Sequence, residues 1–368
     1  MANFTTIDDP SAHFQVATWT GDGSTSDRNI ANDGNSDLAP DFIWGACRTD
    51  VQAKMLFDSS RGFSTGDKEL VSSYNNVAGD TSAYNTGAYG WLGPSITDGF
   101  VSNYGSVNNG YWNVSSRTYV AWQWKANGGT TASNSDGNIT STVQANTTAG
   151  FSIVTWTGDG STSGKNVGHG LGAVPKLIIS KDRGGASNLP GWYLYHPGIG
   201  NTHHIQFTTS ASADSPTWGD TTPTSSVFSV GGEGAYIATN QSSTNYVAYV
   251  FAEKQGYSKI GTYKGNEQAD GAFVYTGFKP ALVISKNAGV VTNWRMLDNK
   301  RAGYNKDNNR LSPNTATGED TDDQIDILSN GFKMITTDSE INSGYTHIYM
   351  AFAENPFVTS TGVPATAR

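Results

Sequence analysis

Five sequence patterns recur three times in the same order along this chain, and an internal repeat constrains the possible folds more than any single motif does. The first pattern combines aromatic and β-branched residues with a Gly turn, at 14–23, 151–160 and 257–266. Such a pattern predicts a β-strand that ends in a tight turn. The chain is therefore expected to build one sheet-forming unit three times.

In the second pattern a proline precedes an apolar run, at Pro40, Pro175 and Pro280. Proline at the entrance of a strand removes no ladder hydrogen bond. An uninterrupted apolar run is typical of a strand that is covered on both faces. Each copy is therefore predicted to contain one strand that is covered on both faces.

The other three patterns also predict short strands. The third is a short amphipathic stretch at 54–58, 192–196 and 294–298. The fourth is an apolar stretch beside a Gly or Ser turn, at 98–101, 226–230 and 330–334. The fifth alternates aromatic residues with a period of two, at 119–124, 246–253 and 347–354. That period predicts a strand with one face in a core.

Copies one and two are separated by extra residues, most of them in the polar stretch 126–150. This stretch is interpreted as a linker, in which 139–143 can form an additional strand against 151–156. Only 254–256 separate copies two and three, which predicts close packing. The polar stretch 305–326 is interpreted as a long surface loop or a short helix.

These patterns predict an all-β protein with little helix, built from three tandem β-sandwich modules of SPRY/concanavalin-like or jelly-roll-like type. The predicted boundaries are 1–126, 127–254 and 255–368. The 43 glycines and the charged fraction of 15% agree with many short strands joined by turns.

Charge and cysteine content exclude several classes of function. A net charge of -9 disfavours a general nucleic-acid binder, because such proteins gain affinity from Lys and Arg beside phosphates. The single cysteine, Cys47, allows no intrachain disulfide and no cysteine-based zinc site. No secretory signal and no membrane-spanning apolar run is apparent, so synthesis in a cytoplasm without membrane insertion is expected.

The ordered set of patterns resembles predicted tail-fibre and other virion proteins of marine bacteriophages, including phages of cyanobacteria and of abundant ocean heterotrophs. Copy one resembles their SPRY-like unit, through 40–44, 57–62, 70–73, 98–100 and 119–125. Copies two and three resemble its usual partner module, through 167–171, 173–176, 246–249, 251–253, 273–278, 298–301 and 355–357.

The resemblance implies a virion structural protein in a tail fibre, a tail tip or a capsid decoration. Its partners would then be other virion proteins, and a homo-oligomer, a trimer above all, is expected. Related proteins often carry a long N-terminal attachment region, whereas the first module here begins near Phe14. That difference favours a decoration protein, a short fibre or a tail-tip subunit over a long fibre.

Four aromatic residues lie outside the shared pattern and are predicted to contact a host glycan or a protein partner: Trp91, Tyr111, Trp112 and Trp218. Exposed aromatic rings stack on sugars and form the centres of protein interfaces. The main alternative to a purely structural role is therefore a lectin-like protein that binds a receptor glycan on the host.

Other polar residues give weaker signals. His196, His203 and His204 lie close in sequence but have no defined ligand spacing, so structural or surface roles are expected. His169 is interpreted as a turn residue. The acidic run 319–323 with Asp326 leaves calcium binding open, although a solvated loop is the other interpretation.

No catalytic signature is found in the sequence. A Gly-x-Ser-x-Gly elbow is missing, and no carboxylate pair is recognisably placed for glycoside cleavage. The chain is therefore predicted to be no enzyme and to need no metal or cofactor. A polysaccharide depolymerase is the third and least expected alternative, since two catalytic carboxylates can lie far apart in a sequence.

Overall fold

The computed structural model describes residues 5–63, 69–73, 86–106, 110–183, 191–232, 237–301 and 307–364. In the first segment, 1–126, a 3-10 turn at Pro10–Ala12 precedes the regular elements. These are β1 Phe14–Thr20, β2 Arg28–Ile30, β3 Phe42–Cys47, β4 Met55–Asp58, β5 Leu70–Val71, α1 Thr86–Tyr89, β6 Leu92–Ile96, β7 Gly99–Ser102 and β8 Thr118–Trp124.

The described part of the second segment, 127–254, contains ten strands and a 3-10 turn at Pro216–Trp218. The strands are β9 Ala132–Asn134, β10 Ser141–Asn146, β11 Phe151–Thr157, β12 Lys165–Gly168, β13 Leu177–Asp182, β14 Trp192–Tyr195, β15 His203–His204, β16 Ala213–Asp214, β17 Val227–Val230 and β18 Asn245–Phe251.

In the third segment, 255–368, the residues that the structure describes form eight strands and one short helix. They are β19 Ser258–Lys264, β20 Phe273–Tyr275, β21 Phe278–Asn287, β22 Arg295–Asp298, β23 Asp307–Arg310, β24 Asp320–Leu328, β25 Gly331–Met334, α2 Ser339–Asn342 and β26 Thr346–Pro356. None of the helices within the described ranges is long and apolar enough to cross a membrane.

The prediction of an all-β sandwich fold is confirmed. Each segment has one sheet with a shared antiparallel strand order, which we call its large sheet, and one or more further sheets. The shared orders are β1-β8-β3-β4, β11-β18-β13-β14 and β19-β26-β21-β22. A further sheet in each segment contains the pair β2-β7, β12-β17 or β20-β25, and in the third segment this sheet also has four strands. The recurring sequence patterns thus correspond to recurring strand positions.

Cross-strand aromatic pairs fix the register of one pair of neighbouring strands in each large sheet: β1 with β8, β11 with β18 and β19 with β26. Trp19 stacks on Tyr119 with ring centroids 5.2 Å apart, and Trp156 stacks on Tyr246 at 5.1 Å. In the third segment Tyr263 stacks on His347 at 4.8 Å. Because these pairs lie directly opposite each other, a one-residue slip would turn every side chain to the wrong face.

The large sheets are buried on both faces. On β18, Val247 and Phe251 belong to a core that all three segments share, whereas Tyr246 and Ala248 belong to a core of the second segment alone. The other segments show the same alternation. A strand with a side-chain period of two therefore contributes to two cores at once.

The prediction of burial on both faces is confirmed for the runs after Pro40, Pro175 and Pro280, in β3, β13 and β21. The prediction that the strand at 246–251 has one face in a core is wrong, because β18 is buried on both faces.

The shared core, which we call the central core, joins the three segments through aromatic rings. Phe14 of the first segment stacks on Phe352 of the third at 5.2 Å, and Trp124 meets Phe251 of the second at 6.1 Å. These side chains are almost fully buried. Burying each such ring contributes about 2–3 kcal/mol, so the segments are held together by packing and not only by their linkers.

A polar contact crosses from the second segment to the first at Asp58. Its carboxylate accepts a hydrogen bond from Tyr249 Oη at 2.7 Å and from Arg61 Nε at 2.6 Å. The Asp58 and Arg61 side chains are fully buried. We call this the 58/249 contact.

The same arrangement crosses from the first segment to the third. Asp298 accepts a hydrogen bond from Trp122 Nε1 at 2.9 Å and from Arg301 Nε at 2.6 Å. The Arg301 guanidinium also lies 5.6 Å from the centre of the Trp122 ring, which is a cation–π distance. We call this the 122/298 contact.

The third inter-segment contact lacks these charges. His196 occupies the position of Asp58 and Asp298, Ile199 that of the arginines, and Met350 that of Tyr249 and Trp122. His196 and Met350 line one small apolar cavity together. This 196/350 contact closes a ring in which every segment touches both others.

A second set of hydrogen bonds also joins each segment of the ring to another. Lys54 Nζ of the first segment donates to Thr315 O and Thr317 O of the third, both at 2.8 Å. The equivalent residues are tryptophans: Trp192 Nε1 donates to Val71 O at 2.8 Å, and Trp294 Nε1 donates to Gln206 O at 2.9 Å. Burial lowers the pKa of Lys54 to about 7, with Arg301 adding to the effect.

Two predictions about connecting stretches have clear outcomes. The proposed extra strand exists as β10, which pairs with β11 in the large sheet of the second segment. The prediction of a loop or short helix over 305–326 is wrong, because β23 and β24 form an antiparallel pair there. Residues 305 and 306 lie outside the described residues.

The two ends of the described chain meet. Ser360 N donates to Asp8 Oδ1 at 2.7 Å. Near this point Thr5 Oγ1 donates to Gln255 O at 3.0 Å, where the second segment joins the third. The junction between the last two segments and the first described residues therefore lie on the same side of the molecule.

Candidate functional site

Two of the four predicted contact residues are not on the surface. Trp112 is 0% exposed and Trp218 is 1% exposed. Each segment also has a core of its own, which we call its outer core. Trp112 packs edge-to-face on Phe57 in the outer core of the first segment, and Trp218 packs on Tyr195 in the outer core of the second. The prediction that these two rings lie on the surface is therefore wrong. They belong to cores whose other side chains come mainly from the strands.

Trp91 and Tyr111 are half-buried against the outer core of the first segment. Tyr111 lies edge-to-face with Tyr89, with ring centroids 5.9 Å apart, and Tyr89 is itself exposed. These rings share one part of the surface. Their contact with a glycan or partner stays a prediction.

The histidines occupy separate environments. His196 is buried at the 196/350 contact, where burial lowers its pKa to about 4. His169 is buried, and His203 and His204 lie half-exposed on β15. Within the described ranges, no group of three or more His, Cys, Asp or Glu side chains is arranged to hold a metal ion.

The acidic run does not form a loop, since most of it lies in β24. Glu319 accepts hydrogen bonds from Arg48 Nε at 3.0 Å and from Arg301 Nη1 at 2.9 Å, and so joins the first segment to the third. Asp320 and Asp322 lie 3.1 and 2.8 Å from Arg310 Nη2. Three of the carboxylates in this acidic run, those of Glu319, Asp320 and Asp322, therefore lie beside an arginine.

The clearest candidate site is an open cleft of about 850 Å³ in the third segment. It lies where the β23–β24 pair and the chain after β25 approach β22. Its lining is polar and mostly charged: Ala269, Arg295, Arg310, Thr321, Asp322, Asp323, Gln324, Ile335, Thr336, Thr337, Asp338 and Glu340. We call it the polar cleft.

Two arginines organise the acidic side of the polar cleft. Arg310 Nη1 donates to Asp338 Oδ2 at 3.1 Å, and Arg295 forms an ion pair with Glu340. The Asp338 side chain caps the N-terminus of α2 through Glu340 N at 2.9 Å. The short helix therefore holds both carboxylates where the arginines reach them.

Two side chains that line the polar cleft are deeply buried, and each has one polar atom that is shielded from solvent and lacks a partner. Arg295 is 5% exposed and Gln324 is 1% exposed. Arg295 Nε and Gln324 Oε1 have no hydrogen-bond partner among the described residues. Desolvation lowers the pKa of Arg295 to about 10, with nearby Arg310 contributing, so the guanidinium remains charged at neutral pH.

A family described as a domain of unknown function, DUF7483, matches the chain over residues 9–356. The chain belongs to this family. No curated protein and no solved structure matches the chain. The family match runs without interruption through all three segments, as the central core does.

The polar cleft escaped prediction because its residues come from different sequence patterns. Arg295 lies on the third pattern, at the position of Met55 and Tyr193 in the other copies. Gln324 lies in the stretch interpreted as a loop or helix. A charged residue at a position that is apolar or aromatic in the other copies was the available signal.

Exposed aromatic residues on β20 were also missed. Phe273 and Tyr275 are exposed, whereas Val274 between them is buried at the position of Ile30 and Val167. Aligning the three copies on that buried residue would have placed both rings on the outer face.

Proposed function

We propose that the chain is a non-catalytic structural component on the surface of a bacteriophage particle, in a tail fibre, a tail tip or a capsid decoration. The proposal starts from the resemblance of the repeated patterns to virion proteins. The structural observation that carries it is the closed ring of three equivalent sandwiches around one central core.

This ring suits a component of a symmetric particle. Because each segment contributes the same strand order and touches both others, the chain presents three related outer sheets around a common centre. Closed rotational arrangements are the usual way in which copies of one protein assemble. A single chain of this kind is proposed to fit a threefold position among other virion proteins.

The burial pattern supports a mechanical role. The large sheets have apolar side chains on both faces, so most of their backbone pairing is shielded from water. Local opening requires loss of packing in two cores at once. We therefore propose a rigid body that tolerates conditions outside the host cell.

Analysis of purified particles tests this proposal. Phage that carries the gene is purified on a density gradient, and the particle proteins are quantified by mass spectrometry. The chain is expected at a fixed ratio to the major capsid protein, and antibody labelling should place it on the particle surface. Its recovery only in the soluble lysate, with host proteins as the reference, would contradict the proposal.

The proposed oligomeric state follows from the same ring. The resemblance favours a homotrimer, but the internal ring already supplies a threefold arrangement within one chain. Light scattering on the purified chain decides between the two. A mass of one chain would favour single-chain occupancy of a threefold position, and a mass of three chains would favour the homotrimer.

Receptor binding is the second candidate function. The observation that favours it is the polar cleft, an open site whose lining carries carboxylate, guanidinium and hydroxyl groups that can hydrogen-bond a ligand. Glycan-array binding by the whole chain tests it. Release of reducing sugar from host envelope polysaccharide would instead indicate a depolymerase, and we expect none.

A further inference from the structure

We propose that the free edge of β20, in the third segment, binds an extended segment of a second protein as an additional strand. We call this edge, formed by Phe273, Val274 and Tyr275, the β20 edge. A surface that takes such a partner goes beyond the proposed structural role, and it does not depend on a place in a virion.

The backbone of the β20 edge directs hydrogen-bonding groups away from its own sheet. Among the strands that the structure describes, β20 pairs with β25 alone. Ala272 O accepts a hydrogen bond from β25 at 3.1 Å, and Thr276 N donates one to the turn before β25 at 3.0 Å. Because backbone groups alternate between the two sides of an antiparallel strand, the N–H and C=O groups of Phe273 and Tyr275 face outwards.

The equivalent edge in the second segment is covered by the chain itself. Ile139 forms a parallel bridge with Val167 of β12, and its side chain is buried in the outer core of that segment. Ile139 N donates to Asn166 O at 3.1 Å, and Ser141 Oγ donates to Gly168 O at 2.7 Å. An extended stretch of chain, with one apolar side chain directed inwards, therefore fits this type of edge.

The third segment has no equivalent of that covering stretch in its sequence. The cover in the second segment comes from the insertion 126–150, whereas only 254–256 precede the third copy of the repeat. The outward groups of Phe273 and Tyr275 correspond to those that are covered in the second segment. The β20 edge thus offers the same backbone groups, and a stretch from another chain can supply the cover.

Two exposed rings distinguish the β20 edge from the edge of the first segment. Phe273 is 47% exposed and Tyr275 is 59% exposed, whereas the same positions in the first segment carry Asn29 and Ala31. Edge strands usually carry charges or a proline, which discourage pairing with another chain. The stretch 272–276 carries neither. It combines an apolar surface with outward backbone groups, as binding edges do.

The cover in the second segment defines the chemistry of the partner. The partner backbone runs parallel to β20, and one apolar side chain points inwards as Ile139 does. The side chains on either side of it lie over the rings of Phe273 and Tyr275, so apolar or aromatic residues are expected there. Two copies of this chain that paired through the same edge would be related by a twofold axis, which makes their strands antiparallel. The parallel bridge therefore favours a different protein.

Selection from a library of short random peptides, with the whole chain as bait, tests the proposal. Enriched peptides should carry apolar side chains at alternate positions and no proline at their centres. Amide hydrogen exchange measured by NMR then locates the bound peptide. The N–H groups of Phe273 and Tyr275 should exchange rapidly in the free chain and slowly in the complex. Enrichment of no peptide, or of peptides that leave these amides unprotected, overturns the proposal.

Two substitutions at position 275 separate the backbone from the ring. Tyr275→Ala removes the ring, whereas Tyr275→Pro removes both the ring and the outward N–H, which proline can replace at a sheet edge. Tyr275→Pro should bind the selected peptide about three- to tenfold more weakly than Tyr275→Ala, because it loses one backbone hydrogen bond. Equal binding by the two variants would contradict the addition of a strand.

Ala31→Pro is the matched control, because Ala31 occupies the position of Tyr275 in the first segment and is also exposed. It should leave peptide binding unchanged, and a loss equal to that of Tyr275→Pro would overturn the assignment to the third segment. Phe273→Lys keeps the test decisive if Tyr275→Pro unfolds. A charge on the edge should weaken binding, and unchanged affinity in the folded variant counts against the site.

The same exchange measurement on the chain alone examines self-association. The amides of the β20 edge should exchange at rates that do not depend on protein concentration. Protection that grows with concentration would identify a second copy as the partner and overturn the assignment to a different protein.

Discussion

The 58/249 and 196/350 contacts each join two segments at equivalent positions of the repeat, but their chemistry differs. At the first, a buried carboxylate joins Arg61 to Tyr249 across two segments. At the second, His196 and Met350 meet in an apolar environment. The comparison indicates that close packing around the central core is common to all three contacts, whereas charge is used at only two.

The difference involves three positions that change together. If aspartate alone were introduced at position 196, its buried charge would have no arginine beside it, because Ile199 occupies the position of the arginines. A lone arginine at position 199 would be equally costly, because an uncompensated buried ion loses its hydration. The segments are therefore adapted to their neighbours and are no longer interchangeable.

The largest effect is expected from Asp58→Asn. It removes the carboxylate charge that lies against the buried Arg61 guanidinium, which should lower the free energy of unfolding by about 3–5 kcal/mol. Urea unfolding followed by tryptophan fluorescence measures the change. His196→Asn replaces one neutral side chain by another at the equivalent position and should cost clearly less. Equal losses would show that the charge at Asp58 is not what distinguishes the contacts.

Acid should weaken the 196/350 contact, among other parts of the fold that bury a histidine. Burial lowers the pKa of His196 and of His347 to about 4, against 6.5 for the ordinary side chain. The unfolded chain thus binds more protons between these values, so stability is complete above pH 6.5 and falls as the pH drops towards 4. Each histidine should account for about 2 kcal/mol between about pH 7 and pH 5.

His196→Gln isolates the contribution of this contact to the acid response. The variant cannot take up the proton, so its unfolding free energy should change less between pH 7 and pH 5 than that of the native chain. Urea titrations at several pH values give the slope. An unchanged slope would assign the acid response to His347 or to other groups.

A smaller loss is expected from Tyr249→Phe. It removes the hydroxyl that donates to Asp58 and should cost about 1.5 kcal/mol, as expected for a hydrogen bond to a charged group. Met350→Leu is the equivalent change at the apolar contact and should cost less than about 1.5 kcal/mol, because it nearly conserves volume. A greater cost for Met350→Leu would reverse the comparison.

The smallest effect is expected at the rim of the contact between the first and third segments. Lys300 Nζ lies 2.8 Å from Asp33 Oδ1, and both side chains are largely exposed. Lys300→Met should change the unfolding free energy by less than about 1 kcal/mol, because water and salt screen such pairs. A loss as large as that of Asp58→Asn would place the stabilisation at the rim.

The strands were predictable because their periods are local properties of the sequence. The alternation at 246–251 predicted β18 and the run after Pro175 predicted β13, but burial on both faces was predicted for β13 alone, whereas β18 also has two buried faces. The ring was not predictable, although Asp58, His196 and Asp298 all end the third pattern. Nothing local shows that this position faces another segment, since that depends on how the sheets meet at the central core.

The candidate site was predicted less well than the fold. Trp112 and Trp218 were assigned to the surface because they lie outside the strand pattern, but outer cores also take rings from turns and loops. The polar cleft depends on β23 and β24, in a polar stretch with no obvious alternation before Gln324. A strand whose first half is exposed and charged gives no apolar period to detect.

The hydrogen bond between Ser360 and Asp8 holds the two ends of the described chain together. The order of the segments in the sequence could therefore be changed while their positions in space stay the same. A gene rearranged to join these two ends by a short Gly-Ser bridge, and opened instead at 254–256, would start with the third segment and finish with the second. Every ring contact would survive this circular permutation. Opening the chain within a large sheet, by contrast, would separate strands that the central core holds together.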